Sequence, residues 1–196
     1  MRLGVLGGTF DPVHIGHLVA ASEVRHALGL DRVVLMVANQ PWQKAEKDGA
    51  HPVTAAADRL AVVQAAIDGV DGLEAGRLEI DRGGVTYTAD TVEQLTEGDP
   101  GVELFLIIGT DVADDLDTWK RVDEIKARCT LAIVERPGAA AVDLPGWRVE
   151  RVAIPALDVS STDLRRRLAE GRPADFLIPA PALRQIAHLG LYADGR

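Results

Sequence analysis

Near the N-terminus the chain reads Gly7-Gly8-Thr9-Phe10-Asp11-Pro12-Val13-His14-Ile15-Gly16-His17, directly after the apolar run Leu3 to Leu6. These residue types suit the handling of a phosphate. Glycines let backbone N–H groups approach an anion closely. A helix start adds unpaired N–H donors and the positive end of the helix dipole. His14 and His17 stand three apart, so in a helical first turn they face one side together. A plain strand-to-helix turn with incidental surface histidines is the alternative. A metal reading of the His-x-x-His pair has no third ligand at an informative spacing. The dinucleotide fingerprint G-x-G-x-x-G and the loop G-x-x-x-x-G-K-[ST] are both absent.

Four other places carry polar chemistry. Ser160-Ser161-Thr162-Asp163-Leu164-Arg165, with Arg166 and Arg167 behind it, reads as a capped helix start. Glu79-Ile80-Asp81-Arg82-Gly83-Gly84-Val85-Thr86-Tyr87-Thr88-Ala89-Asp90-Thr91 reads as a strand, a Gly-Gly turn and a helix with a threonine cap. Asp111 follows Ile108-Gly109-Thr110 at a strand end, ahead of Asp114, Asp115 and Asp117, which form a solvated acidic helix start. The polar stretch 39–52 contains Trp42, Lys44, Lys47 and His51, and a loop of that length in a compact domain usually has a function. Cys129 stands alone in an apolar run, which favours a buried structural thiol over a nucleophile.

These residues need a scaffold, and the apolar pattern supplies one. Strands are predicted at Arg2–Leu6, Arg32–Ala38, Leu73–Ile80, Glu103–Ile108, Leu131–Glu135 and Arg148–Ile154. Helices are predicted at Leu18–Leu28, Ala55–Ile67, Ala89–Glu97, Trp119–Ala127, Asp163–Glu170 and Pro181–His188. Unbroken apolar strands alternating with amphipathic segments give an α/β class. The form is a Rossmann-like, doubly wound, mainly parallel sheet with helices on both faces and a small C-terminal helical segment. Any ligand should then lie beyond the carboxyl ends of the strands, at a switch point. The Ala/Gly-rich stretch Gly138–Pro145 reads as a solvated connector.

The chain has 196 residues, which fits one domain over 1–196, with the helical segment at 160–192. Its 21 basic and 30 acidic residues give a net charge of -9, which speaks against nucleic-acid or membrane binding. An acidic protein that handles anions must gather its cations locally. Without a charged-plus-apolar leader or a long apolar span, the expected address is the cytoplasm.

The N-terminal string resembles the nucleotidylyltransferase superfamily signature G-x-F-D-P-x-H-x-G-H, and Ser160 to Arg165 resembles its second signature, S-S-T-x-x-R. The resemblance implies that Gly7, Gly8, Thr9 and Phe10 belong to an ATP site. It implies that His14 and His17 bind the triphosphate and stabilise charge at the α-phosphate. Ser161, Thr162 and Arg165 would hold the β- and γ-phosphates, with Mg²⁺ assisting and no covalent intermediate. The stretch from Glu79 to Thr91 is similar to E-x-D-R-x-G-x-x-Y-T-x-D-T of the nicotinate mononucleotide adenylyltransferases. That likeness implies nicotinate mononucleotide as the acceptor, seated by Thr86 and Tyr87, with Thr88 a further candidate. Trp119 would stack on the nicotinate ring, although core packing is its other reading. Asp111 would lie near the nucleotide riboses, Lys44 would reach phosphate, and Arg136 would touch the nucleotide.

Asn39-Gln40-Pro41-Trp42-Gln43-Lys44 departs from the commoner N-P-P-H-K form. Phe176-Leu177-Ile178-Pro179 through Gly190-Leu191-Tyr192 is similar to the family's C-terminal Y-L-I-P…G-L-Y helix, so the likeness runs through the whole chain. The implied reaction joins ATP and nicotinate mononucleotide, releasing pyrophosphate; a homo-oligomer is compatible with it. Rival readings are the same chemistry on phosphopantetheine or nicotinamide mononucleotide, a nicotinamide-dependent oxidoreductase that lacks its glycine fingerprint, and a non-catalytic nucleotide sensor.

Overall fold

The structure is a computed structural model describing residues 1–41, 53–135 and 143–193. Six parallel strands form its central sheet: β1 (Arg2–Gly8), β2 (Arg32–Val37), β4 (Leu73–Gly76), β6 (Glu103–Gly109), β7 (Cys129–Glu135) and β8 (Val149–Ala153). Their order across the sheet is β4-β2-β1-β6-β7-β8. The chain therefore winds outward in one direction through β2 and β4, then returns past β1 to build β6, β7 and β8. The carboxyl ends of β1 and β6, paired from Arg2↔Glu103 to Leu6↔Ile107, bound the crevice where the winding reverses. No described helix is long and apolar enough to cross a membrane.

Both faces of the sheet are covered, which explains why its strands are apolar without alternation. Val33, Leu35, Val37, Phe105 and Ile107 point to one face. That face is packed by α1 (Ile15–Ala27), α2 (Ala56–Ala66), α7 (Ser161–Ala169) and α8 (Ala180–Leu189). Val34, Met36, Leu104, Leu106 and Ile108 point to the other, against α4 (Thr88–Gly98) and α6 (Val122–Arg128). Each fully buried aliphatic or aromatic side chain contributes roughly 1.5–3 kcal/mol, so two such layers hold the strand ends in place.

The elements differ from the sequence-based expectation in informative ways. The strand expected over Leu73–Ile80 ends at Gly76, and Leu78–Arg82 forms a short helix, α3. Its turn is supported by an i,i+4 ion pair between Arg77 and Asp81, and its Glu79 is buried. The helix expected from Trp119 starts at Val122. Arg121 stops it earlier by adopting a left-handed backbone (φ 57°), where its guanidinium binds Asp90, Glu93 and Glu124. Conversely, α1 begins at Ile15 rather than Leu18, because His14 already caps it. A two-stranded parallel ladder, β3 (Gln40–Pro41) with β5 (Val85–Thr86), was not expected at all. A short helix, α5 (Thr110–Ala113), and a 3-10 turn (Leu116–Thr118) fill the space after β6.

Candidate active site

The glycine turn leaves β1 at the crevice and is closely constrained. A Cβ on Gly8 would lie 2.9 Å from the Phe10 ring, whereas the space beside Gly7 is open. Phe10 takes a left-handed backbone (φ 49°) that a bulky residue adopts only when its surroundings enforce it. Its ring is buried and meets the His17 ring edge-on at 5.0 Å. The two histidine rings stack at 3.7 Å.

The backbone N–H of His14 donates to Nδ1 of His17 at 3.2 Å. An Nδ1 that accepts is unprotonated, so neutral His17 carries its proton on Nε2, as a donor. Burial, and then the neighbouring His14, pull His17 down to a pKa of about 3. Its imidazole is therefore neutral at physiological pH.

The second signature closes on the first. Ser160 caps α7 by accepting from the Asp163 N–H at 3.1 Å. The Ser161 hydroxyl donates to the Pro12 carbonyl at 2.9 Å. Arg165 donates to the Asp11 carbonyl at 2.6 Å and to the Thr162 hydroxyl at 3.3 Å. Segments about 150 residues apart in sequence thus meet, bringing the start of α7 and the Arg165 guanidinium against the segment that leads into α1.

Two cavities flank the end of β1 and share Leu6 and Gly109. One, of about 160 Å³, is lined by His17, Gly109, Thr110, Asp111 and Ile154. The other, of about 240 Å³, is lined by Gly7, Gly8, Thr9, Glu79, Thr86, Thr88 and Trp119, with apolar walls from Val92 and Leu106. Of the expected acceptor-side residues, Thr86 and Trp119 thus reach the second cavity, with Thr88 beside them. Tyr87 is not in its lining; its hydroxyl accepts from Lys120 at 3.2 Å. Trp119 also packs on the core layer, and its buried Nε1 has no hydrogen-bond partner among the described residues. Lys44 and Arg136 lie outside the described residues.

Four polar residues around the two cavities received no individual role in the sequence reading. Asp11 accepts from the Tyr192 hydroxyl at 2.6 Å and the Thr54 N–H at 3.4 Å. Arg59 is only 1% exposed, and nothing in the helical pattern of α2 marked it as more than a polar position. Glu79, which sits in the second cavity, accepts from Thr91 at 2.6 Å. Burial pushes its carboxyl above the usual range, against the pull of Thr91, Arg82 and Thr86. Tyr192 is drawn in by the C-terminal helix, and burial raises its phenol further. Cys129 is buried and pushed up to about 12, which removes it as a nucleophile.

A family model described as cytidylyltransferase-like matches residues 5–167, a span containing both histidines, Trp119 and Arg165. A "Probable nicotinate-nucleotide adenylyltransferase" of Saccharopolyspora erythraea is 42% identical over 97% of this chain and 89% of its own length. The chain belongs to the nicotinate-nucleotide adenylyltransferase family. Another member, carrying the same name in Streptomyces coelicolor, is 42% identical over 95% of this chain and 98% of that protein. The Plasmodium falciparum nicotinic acid mononucleotide adenylyltransferase complexed with NaAD superposes with a TM-score of 0.79, covering 97% of each chain at 18% identity.

Proposed function

We propose that this protein transfers the AMP part of ATP to nicotinate mononucleotide, giving nicotinic acid adenine dinucleotide and pyrophosphate, a step of NAD biosynthesis. The observation that carries the reading is the pair of cavities at the end of β1 that share Leu6 and Gly109 in their linings, one of them lined by His17. Two substrates bound there present their phosphates to each other at the same point. The family membership names the pair.

The chemistry needs little beyond position and charge. ATP places its adenosine in the cavity of Asp111 and Ile154 and its triphosphate across the start of α1. The acceptor mononucleotide sits in the larger cavity, its ring against Trp119 and its base-side polar groups near Thr86 and Thr88. A phosphate oxygen of the acceptor attacks the α-phosphorus directly. The new P–O bond forms as the bond to the β-phosphate bridging oxygen breaks, and that electron pair leaves with pyrophosphate. His17, with its Nε2–H, and His14 meet the charge that grows on the non-bridging α-phosphate oxygens. Ser161, Thr162, Arg165 and the start of α7 hold the departing pyrophosphate.

ATP enters with Mg²⁺, which neutralises phosphate charge. Among the described residues no group of three or more His, Cys, Asp or Glu is placed to hold a metal. Release of pyrophosphate from ATP, measured with nicotinate mononucleotide, nicotinamide mononucleotide and phosphopantetheine in turn, tests the proposal. Turnover should be at least tenfold faster with the nicotinate acceptor. No turnover with any acceptor would sink the enzyme reading, and preference for another acceptor would reassign the larger cavity.

A further inference from the structure

Arg59 is a buried cation for which neither signature has a use. It stands in the first turn of α2, 1% exposed, and makes no ion pair with a carboxylate among the described residues. Four backbone carbonyls satisfy it instead. Its Nε donates to Thr54 at 2.7 Å, one terminal nitrogen to Thr9 at 2.6 Å, and the other to Ala38 at 2.7 Å and Asn39 at 3.1 Å. Those carbonyls belong to three separate pieces of chain: the glycine turn after β1, the end of β2, and the approach to α2. The Asp11 and Tyr192 side chains face it and favour its charged form against the cost of burial.

A trans peptide carries its C=O and N–H on opposite sides. Every carbonyl that Arg59 captures therefore turns the following N–H away from it. For the Ala38–Asn39 peptide the result is visible: the Asn39 N–H donates to the Thr86 hydroxyl at 3.1 Å, and Thr86 lines the larger cavity. The Asn39 side chain ties the same corner to the Gly84 carbonyl at 2.9 Å. For the Thr9–Phe10 peptide, the freed N–H belongs to the phosphate-side turn. A buried guanidinium also polarises the peptides it binds, which strengthens their N–H groups as donors.

We infer that Arg59 is a positioning residue for both substrates at once, setting the Phe10 N–H for the triphosphate and, through Asn39 and Thr86, the wall that seats the acceptor. This rests on the proposed function for the identity of the acceptor, though not for the ATP arm. Lysine cannot replace it, because one ammonium has no planar fork to reach carbonyls on three segments.

The test is steady-state kinetics of Arg59→Lys beside the wild-type protein, with folded fraction measured by thermal melting. The expected result is a rise of about fivefold or more in KM for both ATP and the mononucleotide, with kcat down about tenfold. In Arg59→Ala, added guanidinium at low concentration should restore part of the activity while leaving the wild type unchanged. A purely structural arginine would lower apparent kcat in proportion to the unfolded fraction and leave both KM values alone; that outcome overturns the inference. Should neither variant fold, amide NMR of the wild type decides. ATP alone should shift the Phe10 amide, and an unmoved Phe10 amide counts against the role. Absence of wild-type turnover would fail the proposed function separately, and the amide result with ATP would still stand or fall alone.

Discussion

The two cavities beside β1 are built on different terms. On the side of the histidines, the segment Asp11–Pro12 that leads into α1 is held by Ser161 and Arg165 of α7 and by Tyr192, while Arg59 holds Thr9 of the glycine turn, which lines the larger cavity. On the acceptor side the wall is a ladder of two short strands, Gln40–Pro41 with Val85–Thr86, tied to the core chiefly through Asn39, Thr86 and the Glu79–Thr91 contact. The difference follows the chemistry each side must do. Stabilising charge at a reacting phosphorus depends on donors that are already in place. Seating one mononucleotide rather than another depends on a few contacts that can be exchanged without disturbing the fold.

That contrast is broken most forcefully at His17. His17→Ala should lower kcat by about a hundredfold or more while the protein stays folded; near-normal pyrophosphate release from a folded variant would remove the residue from the mechanism. Tyr192→Phe comes next. It strips a hydroxyl from the Asp11 carboxylate and should cost about 1.5–3 kcal/mol, seen as a drop of several degrees in melting temperature. An unchanged melting temperature would mean that the donor half is not fastened at its C-terminal end. Trp119→Ala should raise KM for the mononucleotide about tenfold and leave that for ATP nearly unchanged. Equal rises for both substrates would show that the indole is core rather than wall.

The smallest effect separates the halves by pH. His17 has its pKa depressed in the folded protein from 6.5 to about 3, so the stability it contributes is present above 6.5 and is lost as pH falls toward 3. Glu79 has its pKa raised above 4.5, so its contribution is present below 4.5 and is lost as pH rises through the folded value. Glu79→Gln should therefore gain melting temperature relative to wild type as pH increases from about 4 to about 8. A difference that stays flat across that range would mean that Glu79 is not strained by its burial.

The same contrast governs how much could be read from sequence. The half proposed to hold ATP is written in two contiguous strings, because a turn and a helix start are local structures whose residues must be neighbours in the chain. The sheet was equally legible, since strands buried on both faces are apolar throughout. What escaped is what only tertiary packing creates. Leu78–Ile80 reads as a strand continuation, yet Gly76 ends the strand, where a Cβ would lie 2.5 Å from Val34. Arg121 interrupts a plausible helix only because three acidic side chains from two helices gather around its guanidinium. Arg59 looks like any polar position in α2 until the carbonyls of Thr9, Ala38, Asn39 and Thr54 are seen to converge on it.

The central claim is direct attack of one bound phosphate on the other, with no step through the protein. ATP made chiral at the α-phosphorus, by one sulfur in place of a non-bridging oxygen, tests it in a single turnover with nicotinate mononucleotide. One displacement predicts inversion at phosphorus in the dinucleotide product. Retention would mean that the adenylyl group rests on a protein side chain between two displacements, and the account given for His14 and His17 would be wrong.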